Sequence, residues 1–122
     1  MNNIESKMQC ACVRWFRLAH HRLASLLFAV PNGGARSAIT GAILKAEGVT
    51  KGVADLLLLV PNASYHGLCI EMKTKRGNQS PSQKAWQSAV EAQGYKYIVV
   101  RSIEQFITDV TRYLDDFEGG CE

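Results

Sequence analysis

Residues 52–73, GVADLLLLVPNASYHGLCIEMK, decide how this 122-residue chain folds. Residues 54–60 form a short apolar run bounded by Gly52 and by Pro61-Asn62, the pattern of a buried strand. Residues 67–73 follow a turn through Asn62 to His66, and the spacing pairs the two strands as a hairpin. Each strand carries one acid in apolar surroundings: Asp55 beside leucines and valine, Glu71 between Ile70 and Met72. A lone carboxylate is expensive to bury unless it is paired or coordinates a metal. Both acids therefore need a chemical reason to be there.

Downstream, residues 80–93 read as a helix that stops at Gly94. Residues 97–100 read as another buried strand, and residues 103–117 as a final amphipathic helix. Upstream, Ile4, Met8, Cys12, Trp15, Leu18 and Leu26 fall near helical spacing, which predicts one helix over residues 3–26. A short strand over residues 26–30 then leads into the loop signal Pro31-Asn32-Gly33-Gly34. Residues 35–47 form a second helix, ending near Gly48. The order α, β, α, β, β, α, β, α predicts an α/β fold, a mixed sheet flanked by helices.

The length suits one compact domain spanning residues 1–122. With 47% hydrophobic and 20% charged residues, a packed core is within reach and global disorder is excluded. The longest apolar run, residues 53–60, is interrupted by Asp55 and is far shorter than the roughly 20 residues of a membrane helix. No early apolar stretch suggests a signal peptide, so the expectation is a soluble cytoplasmic protein with no membrane partner. Cys10, Cys12, Cys69 and Cys121 lack zinc-ligand spacing. Adjacent His20 and His21 point about 100° apart on a helix. Reduced, mostly buried thiols are expected. Residues 1–101 hold thirteen Lys and Arg against five acids, whereas residues 102–122 hold Arg112 against six acids. A basic body with an acidic end suits a polyanion bound on one face.

Glu71 and Lys73 are two apart on a strand and project from the same face. Pairing with the preceding strand brings Asp55 to the same edge. Two carboxylates converging there suit a hard divalent cation such as Mg²⁺, which takes oxygen ligands. Lys73 then stands where it can orient or help deprotonate a water, or balance charge on a phosphate. The same three residues would also serve as a solvated strand face after a turn. Ser80-Pro81-Ser82-Gln83 matches a capping box with proline at the first helical position. Capping accounts for Gln83 without catalysis, yet from that helix start it can also reach a phosphate or the metal-site water. Lys51, Lys75, Arg76 and Lys84 lie close in sequence to the acids and suit phosphate contacts, although Lys75-Arg76-Gly77-Asn78 also has turn composition. Trp86, inside the amphipathic helix, fits the core better than a base-stacking platform.

The ordered run Asn32-Gly33-Gly34, Gly52-Val53-Ala54-Asp55-Leu56, Ile70-Glu71-Met72-Lys73, Ser80-Pro81-Ser82-Gln83 and Gly94-Tyr95 resembles the virus-type replication-repair nuclease (VRR-NUC) family of the PD-(D/E)xK nuclease superfamily, over about residues 30–115. The resemblance implies a restriction-endonuclease-like core and Mg²⁺- or Mn²⁺-dependent phosphodiester hydrolysis. It casts Asp55 and Glu71 as metal ligands, Lys73 as the catalytic lysine and Gln83 as the active-site glutamine. It also places an acid of the first helix in the metal site, a position similar to that of Glu5, which fits an exposed helix acid equally well. The family usually has proline where this chain has Ala54, a conformational difference. Stand-alone members of this size resemble phage or prophage proteins, some of them dimeric resolvases of branched DNA such as the Holliday junction. A homodimer acting on branched DNA is the expectation that follows. Two other readings compete: a non-catalytic DNA-binding module on a nuclease-like fold, and a purely structural interaction protein.

Overall fold

The computed structural model describes residues 3–31 and 38–116. Its elements run α1 (Asn3–Ala19), a short 3-10 helix (His21–Leu26), β1 (Leu27–Ala29), α2 (Ala38–Ala46), β2 (Leu56–Leu58), β3 (Leu68–Met72), α3 (Pro81–Ala92), β4 (Lys96–Val100) and α4 (Ile103–Asp115). The four strands form one sheet in the order β1-β2-β3-β4. β1, β2 and β3 are successively antiparallel, and β4 lies parallel to β3, with α3 as the connection. This is the expected mixed sheet flanked by helices, and the expected hairpin appears as the β2–β3 pair with Leu56 opposite Ile70.

Strand alternation divides the core in two. Leu56, Leu58, Leu68, Ile70, Met72 and Val100 join Cys12 and Phe16 of α1 and Phe106, Val110, Tyr113 and Leu114 of α4 in the larger cluster. Leu57, Cys69, Tyr97 and Val99 belong with Ala54 and with Trp86 and Val90 of α3 in the smaller one. Trp86 therefore packs with the core, its ring 6.2 Å from that of Tyr97. The odd-numbered positions of β3 face α3, and Glu71 is one of them.

The expected single helix over residues 3–26 divides at His20. The His20 backbone leaves helical geometry (φ −129°, ψ 57°), and the chain continues as the 3-10 helix. The His20 ring packs against Phe16 and Trp15, at 5.1 and 5.5 Å. The tighter turns then deliver Leu27 fully buried into the sheet. A 3-10 helix repeats every three residues, so apolar spacing alone does not separate it from an α-helix. Residues 35–37 of the expected second helix, the Asn32-Gly33-Gly34 signal, Phe117 and Cys121 lie outside the described residues. α2 ends as expected at Gly48, whose φ is +107°. It packs only lightly on the other helices and strands and leaves Ile39 and Ile43 exposed. Among the described cysteines, Cys12 and Cys69 are buried and Cys10 is exposed, all three unbridged. Among the described residues, no helix is long and apolar enough to cross a membrane.

The loop before β2 crosses the start of α3 at Gly52. Here φ is +88°, and a Cβ would lie 2.4 Å from the Ser82 carbonyl oxygen and 3.0 Å from the Gln83 nitrogen. Both are backbone atoms, so no side chain can rotate out of the way. Gly52→Ala is expected to destabilise the fold by about 2 kcal/mol or more, from strain plus the displaced helix start. A Cβ at Gly48 would meet nothing within 4 Å, and Gly48→Ala should cost only the positive-φ penalty of about 1 kcal/mol. Urea unfolding of the two variants checks this: equal losses would mean that the approach to Ser82 carries no energy.

Candidate active site

Asp55 stands just before β2, and the β2–β3 register carries it opposite Glu71. Its Oδ2 accepts a 2.7 Å hydrogen bond from the Met72 N–H, and its carbonyl accepts from the Val30 N–H. The side chain is therefore anchored across the strand pair rather than free at a turn. Glu71 is the one charged residue buried in the core among those described, 2% exposed.

Three groups converge on the Glu71 carboxylate. The Tyr97 hydroxyl donates to Oε1 at 3.2 Å, the Gln83 side-chain amide donates to Oε2 at 3.0 Å, and the Lys73 ammonium stands 4.0 Å from Oε2. Tyr97 comes from β4, two strand positions from Glu71's parallel partner Val99, and its oxygen also accepts from the Gln79 amide at 3.3 Å. Burial is the main force on Glu71 and raises its pKa. The Asp55 charge and a hydrogen bond with that side chain add to the rise, and Lys73 and Tyr97 oppose it, leaving the group at about 8. Burial likewise pushes the Tyr97 phenol upward, with the Glu71 charge adding to the effect, so it stays a donor.

Gln83 caps the helix and also touches the buried acid. Its backbone N–H donates to the Ser80 hydroxyl at 3.2 Å, and its side-chain oxygen accepts from the Ser80 N–H at 2.8 Å, completing the capping box. That leaves the amide nitrogen to donate to Glu71. One side chain thus secures the helix start and holds the acid. Glu5 reaches the site's margin from the first turn of α1, its Oε2 accepting from the Thr74 N–H at 3.3 Å.

Asp55, Glu71, Lys73 and Gln83 are therefore brought together, and Glu5 is docked one residue beyond Lys73. Lys75 and Arg76 lie exposed in the turn after Lys73, Lys51 is exposed beside Gly52 where that loop meets α3, and Lys84 is exposed in the first turn of α3. Tyr97 and Gln79 are site residues that sequence reasoning missed. Tyr97 reads as strand core, and only its polar tip facing an acid on the neighbouring strand signals more.

The donor set is oxygen-only and includes two carboxylates that repel while both are ionised. Such a pair suits a hard divalent cation, with Asp55 and Glu71 as the residues that would hold it. Among the described residues no three His, Cys, Asp or Glu side chains gather at metal-holding distance.

A mixed sheet that gathers two acids, a lysine and a glutamine beside a capped helix start defines a nuclease-like domain. The chain belongs to the VRR-NUC family, whose domain model matches residues 2–104. A solved structure described as a VRR_NUC domain protein is similar, with a TM-score of 0.81 at 25% identity over 97% of this chain and 95% of that one. None of the curated proteins matches this chain in sequence.

The raised Glu71 pKa links stability to pH. A carboxyl that binds its proton more tightly when folded contributes stability that is complete below its unfolded pKa near 4.5 and lost as the pH climbs through about 8. In EDTA, the Tm of the protein should therefore fall over that window relative to Glu71→Gln, and added Mg²⁺ should reverse the loss at the alkaline end. Parallel melting curves with no divergence between the two proteins would contradict it.

Proposed function

We propose that this chain is a metal-dependent, structure-selective DNA endonuclease that hydrolyses phosphodiester bonds at branched DNA such as the Holliday junction, with Mg²⁺ or Mn²⁺ as its cofactor. The observation that carries the reading is the convergence of Asp55, Glu71, Lys73 and Gln83 on one buried point. A module that only bound DNA would gain nothing from setting one buried and one half-buried acid side by side on a face that meets phosphate.

When bound, the divalent ion supplies polarisation of the phosphate and acidification of the attacking water. Asp55 and Glu71 would hold it. The Met72 N–H fixes the Asp55 side chain, and Tyr97 and Gln83 fix one Glu71 oxygen each, so neither acid needs to reorganise when substrate arrives. Lys73, its side chain 13% exposed, presents an ammonium where a phosphate and its attacking water would meet, and orients the water or balances the added charge. Lys51, Lys75, Arg76 and Lys84 hold the flanking backbone, which makes binding salt-dependent.

A homodimer belongs to the same proposal. α2 is short, packs lightly on its own chain and exposes Ile39 and Ile43, an apolar face that a second copy would cover. Two sites related by a two-fold axis suit a symmetric junction. The phage or prophage setting is part of this reading and follows from the resemblance of small stand-alone domains to such proteins.

Asp55→Ala, Glu71→Ala and Lys73→Ala should each lower cleavage by about 1,000-fold or more while leaving DNA binding near wild type, because each removes charge stabilisation specific to the reaction. Assaying a labelled four-way junction beside linear duplex and single strand, with Mg²⁺, Mn²⁺ or EDTA, checks both residues and selectivity. Any one of these variants cutting at the wild-type rate would dismantle the assigned site, and equal cutting of all three DNAs would remove the structure selectivity. Light scattering should give a dimer, and a fully active monomer would overturn that part.

A further inference from the structure

Arg101 follows β4 directly, one residue past the last β3–β4 pair, Met72 with Val100. Beyond that pair the Lys73 N–H still bonds the Val100 carbonyl at 2.9 Å, and then the two chains part. Arg101 spans the gap. One guanidinium nitrogen donates to the carbonyls of Thr74 and Gly77, each at 2.7 Å, and to that of Lys75 at 3.4 Å. The residue is exposed, so water could satisfy the same carbonyls without ordering a long side chain, an ordering that costs entropy.

The turn it grips lies against Lys73. A Cβ at Gly77 would stand 3.6 Å from the Lys73 Cδ and 3.0 Å from the Thr74 hydroxyl, so the turn folds back along the lysine's aliphatic stem. Thr74 is held from both sides, its N–H by Glu5 and its carbonyl by Arg101. The base of the arginine is equally fixed. Its N–H donates to the Gln105 side-chain oxygen at 2.9 Å, and the Gln105 amide donates to the Val99 carbonyl at 2.7 Å. A rigid anchor, a planar multi-donor head and a turn resting on the lysine make one mechanical unit.

We propose that Arg101 is a positioning residue for Lys73, holding the 74–77 turn closed along the lysine stem so that the ammonium stays beside Glu71. The role rests on the nuclease reading above. The alternative use of an exposed arginine at this rim is direct phosphate contact, and the two differ in what lysine can replace. Lysine keeps the charge for a phosphate, but its stem ends one bond short of the guanidinium nitrogen that reaches these carbonyls.

The test is cleavage kinetics with Mg²⁺ for wild type, Arg101→Lys and Arg101→Gln, on whichever of four-way junction, duplex and single strand the wild type cuts, beside amide hydrogen exchange of the same proteins. Both variants should lower kcat by about 10- to 100-fold, the scale of a misplaced catalytic group, with KM within about twofold of wild type. The amides of residues 75–77 should exchange faster while the sheet stays protected. Wild-type kcat in Arg101→Lys overturns the role. So does a loss confined to KM with the salt slope of binding reduced by about one, the mark of a phosphate contact. Should Arg101→Gln fail to fold, Arg101→Lys decides alone. Wild type that cuts nothing with Mg²⁺ or Mn²⁺ overturns the nuclease reading and this role with it, whereas active wild type and equally active variants overturn this role alone.

Discussion

Glu71 is a carboxylate sealed inside the protein opposite a second carboxylate, and most of the architecture can be understood as what that placement requires. A buried charge must be met by donors or by a cation. The donors come from places far apart in the chain: the phenol of Tyr97 on β4, the amide of Gln83 on α3 and the ammonium of Lys73 two residues on. For Tyr97 to reach, β4 must lie parallel to β3 in the observed register. For Gln83 to reach, α3 must begin beside the strand end, which is why the preceding loop crosses its start at a glycine. Sheet order, crossover and loop geometry therefore serve one contact point.

While Glu71 is ionised, this arrangement carries an electrostatic cost. Burial keeps Glu71 protonated until the pH approaches about 8; once it ionises, the two carboxylates repel with only partial relief from Lys73 and Tyr97, a cost that a divalent ion would offset. The acids of α4, Glu104, Asp109 and Asp115, together with Asp116 just past its end, lie on an element that packs against the side of the sheet opposite Glu71.

How much of this the sequence discloses depends on the range of the interaction. Strands β2 and β3, the Ser80 cap and the stop at Gly48 are local patterns, and all are readable. Asp55, Glu71 and Lys73 stand out because acids in apolar strands violate the local rule. Gln83 is readable as a cap or as a site residue, and the structure shows it capping the helix while bonding Glu71. The break at His20 is hidden because α and 3-10 spacing look alike over so short a stretch. Tyr97 and Arg101 are hidden for a different reason. Their partners lie 26 and 24 to 27 residues away, and neither a tyrosine in a buried strand nor an arginine at a strand end breaks any pattern. Glu5 meets Thr74 across 69 residues, a separation at which spacing carries no information.

The shared duty of Gln83 has a dynamic consequence. Helix ends fray before helix centres, and local opening needs far less free energy than global unfolding. The amide that holds Glu71 belongs to the first turn of α3, an end kept closed by its capping box and Pro81. Each time the turn loosens, the acid loses a donor and gains freedom to rotate. The capping box with Ser80 would then govern how long the carboxylate pair stays aligned. Warming would erode that fraction well below the temperature at which the sheet itself comes apart.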